Sequence, residues 1–397
     1  MIKLSERINE LSESQTISMA KMGRALSAKG IDVINLSFGE PDFQTPDHIK
    51  KAAKEAIDQG YTFYTPVAGY PELRKAIAKK FLTENNLKYD DDQIVVSTGA
   101  KQALANAVLC ILNPGDEVLI PTPYWVSYSE MIKLAEGVVN YLPSTVESDF
   151  KISAEQLEKA ITPKTKLFMF SSPCNPTGSV YSQVELEKLA EVFLRHPQVA
   201  IISDEIYEHI NFVGEHFSIA QVPALKDRVI VVNGFSKAFA MTGWRVGYLA
   251  ATKEIAAACD KMQSQITSGT CSIAQRAGIS ALNSDMSTTN EMCEAFKHRR
   301  DVVYELLKVI PGIKVNKPAG AFYFFPDVSY YFGKKNGEHT IENSTDLCLY
   351  LLNEAHVALV TGEAFGDANS LRFSYAAAEE KLIEAVKRIK IALANLV

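Results

Sequence analysis

Across 397 residues, 47% hydrophobic and 22% charged side chains make an ordinary globular composition, long enough for two or three domains with sizeable cores. A formal net charge of −6 excludes the basic footprint of a protein that binds nucleic acid or an anionic membrane surface. The seven His and six Cys are scattered without metal-ligand spacing, so no zinc or iron site is expected.

The cysteines lie far apart in sequence, which fits reduced thiols in a cytoplasmic protein. Met1-Ile2-Lys3-Leu4-Ser5-Glu6-Arg7 lacks the apolar core of a signal peptide. No run of about eighteen apolar residues suggests a membrane span.

Along the chain, Thr45-Pro46-Asp47 predicts a helix start, with Thr45 as N-cap and Pro46 in the first helical position. Gly60 is placed to end that helix. Strand candidates come next at 94–97, 117–120, 167–171, 200–203, 229–232 and 246–250. Their nearly unbroken apolar character suits a mostly parallel sheet buried on both faces, with amphipathic helices between the strands. Residues 45–285 are therefore read as a large α/β domain. Beyond residue 290 a helical pattern, in which Lys297-His298-Arg299-Arg300 is read as a solvated face, leads to strand-like 320–325, 357–360 and 371–374. A last helix starts near Ala378. These pieces, 286–397, together with residues 1–44, are expected to make a smaller α/β domain. Gly333-Lys334-Lys335-Asn336-Gly337-Glu338 is read as a polar surface loop.

In open α/β sheets ligands sit beyond the carboxyl ends of the strands. Polar residues stand at those ends here: Gly99-Ala100-Lys101, then Asn175-Pro176-Thr177-Gly178, then Asp204 with Tyr207, then Ser236-Lys237, with Arg245 beyond. Singly, each has a plain structural reading: a turn, a helix cap, a solvated charge, a core Trp125. Together they match the needs of pyridoxal phosphate. A lysine amine must form a Schiff base with the cofactor aldehyde, and a carboxylate must pair with the pyridine nitrogen. Donors such as Asn175 and Tyr207 can meet the ring oxygen. A helix N-terminus at Gly99-Ala100 and the Arg245 cation can take the phosphate, while Trp125 offers a stacking face.

The chain at this point resembles the class I and II aminotransferases of fold type I. The resemblance runs through Gly39-Glu40-Pro41-Asp42-Phe43, Tyr64-Thr65-Pro66-Val67-Ala68-Gly69, Pro123-Tyr124-Trp125, Ser203-Asp204-Glu205-Ile206-Tyr207-Glu208 and Ser236-Lys237-Ala238-Phe239-Ala240-Met241-Thr242-Gly243-Trp244-Arg245. It is nearest to bacterial-type aspartate aminotransferases, including prephenate-active relatives. It implies that Lys237 carries the cofactor and shuttles the proton, that Asp204 holds the pyridine nitrogen, and that Tyr207 and Asn175 bond its phenolic oxygen. It further implies that Trp125 stacks on the ring, that Asn175 touches the substrate carboxylate, and that Arg372 clamps it as a bidentate fork. Gly39 would add a backbone contact in a turn where a Cβ would crowd the ligand. Tyr64 would reach the phosphate of the neighbouring subunit, making a homodimer with shared active sites. One departure stands out: relatives carry Ser or Thr three residues before the lysine as a phosphate ligand, and here that residue is Gly234. Ser236, or the backbone with Arg245, is left to serve.

Substrate choice rests on Lys101. A cation in the first turn of a helix opposes the helix dipole and calls for an anion, phosphate or substrate, to compensate it. In the resembling enzymes a lysine here binds the distal carboxylate, helped by a hydroxyl near the N-terminus, where Ser14 and Thr16 stand. Transfer between aspartate or glutamate and their 2-oxo acids is the leading expectation, with prephenate or aromatic transamination as the alternative. A pyridoxal-binding effector-sensing domain is the non-enzyme alternative; the acidic charge and the lack of a stretch for a winged helix speak against it.

Overall fold

The computed structural model describes residues 2–13 and 15–397. Seven strands form the main sheet, in the spatial order Ile94–Ser97, Gly247–Ala250, Val229–Gly234, Ala200–Asp204, Thr165–Ser171, Glu117–Thr122 and Val138–Pro143. Neighbours are parallel except for Gly247–Ala250, which runs antiparallel to both strands beside it. Side chains alternate between two apolar layers, as strand geometry requires. Val229 and Val231 join one cluster with Ile77, Phe81 and Phe193. Ile230 and Val232 join the other with Leu104, Val108 and Cys259. Helices cover both faces, which is why these strands read as continuous apolar runs.

The six strands expected from sequence are present, with ends displaced by at most a few residues. The seventh, Val138–Pro143, was not expected: it buries only Leu142, unlike the other edge strand Ile94–Ser97, and so shows no apolar run. Helix starts obey local chemistry: Ser182 and Glu185 form a capping box before Gln183–Arg195, and Thr252 caps Lys253–Ile266. Gly60, at φ +76°, does end the first helix of this region, Asp47–Asp58. Thr45, however, is not its N-cap. The Thr45 hydroxyl is buried and donates to Ala240 O at 2.7 Å, while Trp244 Nε1 donates to it at 3.0 Å. A tertiary hydrogen bond has replaced the local one.

The two chain ends build a second core. Ile34–Asn35 pairs in parallel with Val357–Ala358, and Leu371–Ser374 lies between Val360–Thr361 and Tyr323–Phe324 in an antiparallel sheet. Helices Ser287–Leu307 and Glu379–Ala394 bury Phe296, Val303, Leu382 and Ile389 against them. Tyr207 and Ile210, from beyond the main sheet, pack into this cluster.

Two expectations fail here. Within 333–338, Lys335–Asn336 is half of a small hairpin with His339–Thr340 and also exchanges backbone hydrogen bonds with Val397. Nor is the Lys297–Arg300 cluster merely solvated. Arg300 is buried, donates to Pro318 O at 3.1 Å and stacks on Phe212, and Arg299 pairs with Asp42 at 2.7 Å. Among the described residues no helix is long and apolar enough to cross a membrane.

Close backbone approach fixes one end of the sheet. A Cβ on Gly247 would stand 2.2 Å from Ala100 N, so Gly247→Ala must push the helix Ala100–Ile111 off its strand. A loss of about 1–3 kcal/mol is expected, read as a lower urea midpoint; an unchanged midpoint would show that the contact gives way freely.

Candidate functional site

The sheet register brings the polar strand ends together. Asp204, the last residue of its strand, is paired with Ser171, the last of the neighbouring one. Lys237 stands three residues beyond Val229–Gly234, and Arg245 two before Gly247–Ala250. These residues open onto a cavity of about 430 Å³ that also takes Ser37, Gly39, Asn175, Tyr323 and Arg372 from other segments.

At one end lies a cradle for an anion. Gly99, at φ +80°, precedes the helix Ala100–Ile111, which has no side-chain cap at its N-terminus, so its first N–H groups face outward without intrahelical acceptors. Arg245 adopts the left-handed conformation at φ +56° and donates to Thr242 O at 2.9 Å. Its guanidinium sits so close that a Cβ on Gly99 would meet Nη2 at 2.5 Å. Ser236 is buried along the same wall. Gly234 also finds its reason here: a Cβ there would lie 2.8 Å from Gly247 Cα in the paired strand. A serine or threonine at 234 has no room, so the hydroxyl is excluded by backbone packing.

The floor holds a buried carboxylate and a half-buried lysine. Asp204 Oδ2 accepts from the Tyr128 hydroxyl at 2.7 Å and Oδ1 from Ile206 N–H at 3.2 Å. Burial pushes the Asp204 carboxyl up to about 6, although both hydrogen bonds pull it down. Burial likewise draws the Lys237 ammonium down to about 8, with Glu40 opposing and Arg372 assisting. Lys237 Nζ donates to Gly39 O and lies 5.6 Å from the Tyr207 ring centre. Tyr207 shares a 2.7 Å hydrogen bond with the Tyr323 hydroxyl.

Opposite the cradle, Arg372 is buried. Nη1 donates to Asn175 Oδ1 at 3.1 Å and Nη2 to Ser37 O at 2.6 Å, while Nε has no partner among the described residues. A guanidinium held this way presents a fixed, incompletely used fork to a carboxylate. A Cβ on Gly39 would come within 2.6 Å of the Tyr323 hydroxyl, so this turn is tight against the same wall. Lys101, in the first turn of its helix, holds its ammonium 4.8 Å from the Trp125 ring centre. Partial desolvation, then repulsion from Arg245, lowers its pKa. Trp125 itself meets Tyr128 edge-on at 5.6 Å.

Thr16 lines the cavity from the helix Gln15–Ser27. Ser14 lies outside the described residues. Tyr64 is 99% exposed and is not part of its own chain's cavity. Sequence reasoning missed Tyr128, Tyr323, Ser37, Glu40 and Arg24, all of which line the cavity. Tyr128 was within reach, one helical turn past Trp125. Arg24 lies eight residues after Thr16, on the same helix face, whereas Tyr323 was concealed in an aromatic run that reads as core. Spacing also concealed two close carboxylate and imidazole groups, Glu84–Glu208–His209 and Glu205–Glu208–His216. The Lys80 ammonium sits on Glu208 and supplies positive charge there.

The family model for aminotransferase class I and II matches residues 31–389. The bifunctional aspartate aminotransferase and glutamate/aspartate-prephenate aminotransferase of Petunia hybrida is 49% identical over 400 residues, spanning 100% of this chain and 84% of that protein. The aspartate/prephenate aminotransferase of Cereibacter sphaeroides is 49% identical, with 100% of both chains covered. Among solved structures, the aspartate aminotransferase of Rhizobium meliloti superposes with a TM-score of 0.97 at 44% identity over 100% of both chains. That of Thermus thermophilus with maleate gives 0.93 at 40%, over 99% of this chain and 100% of that one.

The floor makes a sign-specific prediction. With Asp204 near 6 when folded against 3.8 ordinarily, the folded chain binds more protons between these values, so its stability falls as pH rises through that window. Lys237, near 8 against 10.5, acts the other way: stability rises from about pH 8 upward. In the cofactor-free chain, Asp204→Asn should stabilise at pH 7 by on the order of 2–3 kcal/mol, and by little near pH 4. Equal urea midpoints for the two proteins at pH 7 would refute the buried-charge assignment.

Proposed function

The chain belongs to the class I and II aminotransferases, and from that premise we propose that it exchanges an amino group between aspartate or glutamate and the matching 2-oxo acids, with pyridoxal phosphate as cofactor. The single observation that carries this reading is a cavity with an anion cradle at one end, a Lys237–Asp204 floor, and two separate cations, Arg372 and Lys101, for a dicarboxylate.

The residues fit the cofactor on their own chemistry. A buried carboxylate raised to about 6 is hydrogen-bonded only by the Tyr128 hydroxyl and Ile206 N–H among the described residues, and a protonated ring nitrogen would pair with it directly. Arg245 crowding Gly99 over a helix N-terminus suits a phosphate. When bound, pyridoxal phosphate supplies an electron sink for the substrate α-carbon. The protein's part is to place groups around that carbon. Lys237, drawn toward neutrality by burial, takes and returns the proton at the α-carbon. Asp204, steadied by Tyr128, holds the charge of the ring nitrogen. Asn175 and Tyr207 orient the ring oxygen, Trp125 flanks the ring, and Ser236 and Arg245 complete the phosphate wall. Arg372, aimed by Asn175 and Ser37 O, takes the α-carboxylate with its guanidinium. Gly39 turns its backbone to the same group.

Lys101 is the element that selects acidic substrates, with Thr16 lining the same cavity as a hydroxyl donor. The maleate bound by the Thermus relative is itself a dicarboxylate, which supports this direction. Prephenate is the second reading, favoured by the names of two relatives and by an extra carboxylate that could use the same Lys101 and Thr16. We further divide the chain into a large domain, 45–285, and a small one from 1–44 and 286–397, on the basis of its separate buried clusters.

Offering aspartate, glutamate, prephenate, alanine and phenylalanine to the yellow protein and identifying each oxo acid ranks these substrates directly. Lys101→Ala should lower kcat/KM for aspartate about thirtyfold, corresponding to a lost charged contact of about 2 kcal/mol, and leave alanine within about threefold. Equal losses would remove Lys101 from substrate selection. The exposed Tyr64 is assigned to the phosphate of a second subunit in a homodimer. Mixing subunits carrying Lys237→Ala with subunits carrying Tyr64→Ala should then recover activity, because each mixed dimer contains one site with both residues intact. No recovery after demonstrated subunit exchange would place Tyr64 elsewhere.

A further inference from the structure

Behind the floor of the cavity lies a second set of charges that the reaction does not touch. In the stretch Asp204-Glu205-Ile206-Tyr207-Glu208, Asp204 and Tyr207 line the cavity and the two glutamates do not. Glu208 is almost wholly buried, its side chain 4% exposed. It accepts from the Lys80 ammonium, from Asn85 Nδ2 at 2.9 Å and from Asn233 Nδ2 at 2.7 Å. Lys80 and Asn85 are buried as well and bond each other at 2.7 Å.

Asn233 is the connecting residue. It stands near the end of the strand Val229–Gly234, and its Oδ1 accepts from Gly234 N–H at 2.7 Å, so its amide is fixed on both sides. Lys237 comes four residues later. Glu205 N–H donates to Val232 O at 2.8 Å and Glu208 N–H to Glu205 O at 2.9 Å, which ties the two strand-end turns together along the backbone. The Glu208 carboxylate adds the side-chain tie, and Lys80 with Asn85 anchors it to the far end of the helix Pro71–Glu84. A buried charge of this kind contributes little net stability over an apolar substitute. What it does contribute is a fixed geometry, since its acceptor oxygens leave Asn233 few alternative positions.

We propose that Glu208 is a positioning residue: through Asn233 it sets the turn that carries Lys237 against the turn that carries Asp204 and Tyr207. The inference rests on the reading of Lys237 given above. Its test compares two double variants that both abolish the buried ion pair. Glu208→Gln with Lys80→Met leaves an amide oxygen for Asn233, whereas Glu208→Leu with Lys80→Met leaves none. Asn233→Ala cuts the tie from the other side and keeps Glu208 and Lys80 paired.

For each holoenzyme three quantities are read: the thermal midpoint, kcat and KM separately, and the pH midpoint of the visible absorption. The glutamine double variant is expected within threefold of the parent kcat and with the parent absorption midpoint. The leucine double variant and Asn233→Ala are expected to lose at least tenfold in kcat, to hold KM within about threefold, and to move the absorption midpoint by half a pH unit or more. If the leucine double variant does not fold, Asn233→Ala alone decides. Parent-like kcat and absorption in Asn233→Ala overturn the proposal, as do equal losses in the two double variants, which would make the effect one of charge alone. A parent protein with no visible absorption would instead overturn the reading of Lys237, independently of Glu208.

Discussion

A carboxylate and an amine share one cavity floor at the end of a mostly parallel sheet, and much of this protein is arranged around their desolvation. Asp204 and Lys237 are each pushed toward neutrality by desolvation, which costs stability until something charged arrives to be bound. The surroundings steady the pair rather than relieve it. Tyr128 holds one carboxylate oxygen, Ile206 N–H the other, and Gly39 O receives the amine. Such a site is primed for a ligand with a cationic ring atom and a reactive carbonyl, and it accepts a net energetic penalty in the empty chain, the usual arrangement at functional sites.

Packing of backbone on backbone governs the other end of the cavity. Gly234, Gly247 and Ala100 come so close that side chains are excluded between them. This brings the N-terminus of the helix Ala100–Ile111 and Arg245 to a common point without a hydroxyl from residue 234. The missing ligand and the tight sheet are therefore one fact. The same closeness explains why Arg245 accepts a left-handed backbone, since the strand beginning at Gly247 must start directly under the helix.

Much of this was legible in the chain because parallel strands bury both faces and leave their polar residues at the carboxyl ends. Asp204, Asn175 and Lys237 could be picked out as polar groups following apolar runs, Arg245 as the cation eight residues beyond Lys237, and Arg372 only through the family motif around it. What stayed hidden depended on tertiary partners. Thr45 looks like a helix cap and instead bonds Ala240 and Trp244. Arg300 looks like part of a solvated face and instead lies under Phe212. Val138–Pro143 lacks an apolar run because Leu142 alone among its side chains is buried. Tyr323 is indistinguishable from core by composition, and its hydroxyl matters only because Tyr207 and Gly39 come to meet it.

The wall around Arg372 has a consequence for how the chain is made. Its partners are Asn175, 197 residues earlier, and Ser37, 335 residues earlier. At ordinary rates of synthesis Asn175 precedes its partner by roughly 10–40 s. Throughout that interval Ile34 and Leu36, which end up buried beside the strand Val357–Ala358, emerge with nothing to cover them. Gly39 and Glu40 can meet Lys237 and Thr242 earlier, but the strand Ile34–Asn35 must wait for Val357–Ala358, in the last quarter of these residues. A wall assembled from residues 37, 175 and 372 is thus completed late in the protein's biogenesis, after the strands of the main sheet have all been made.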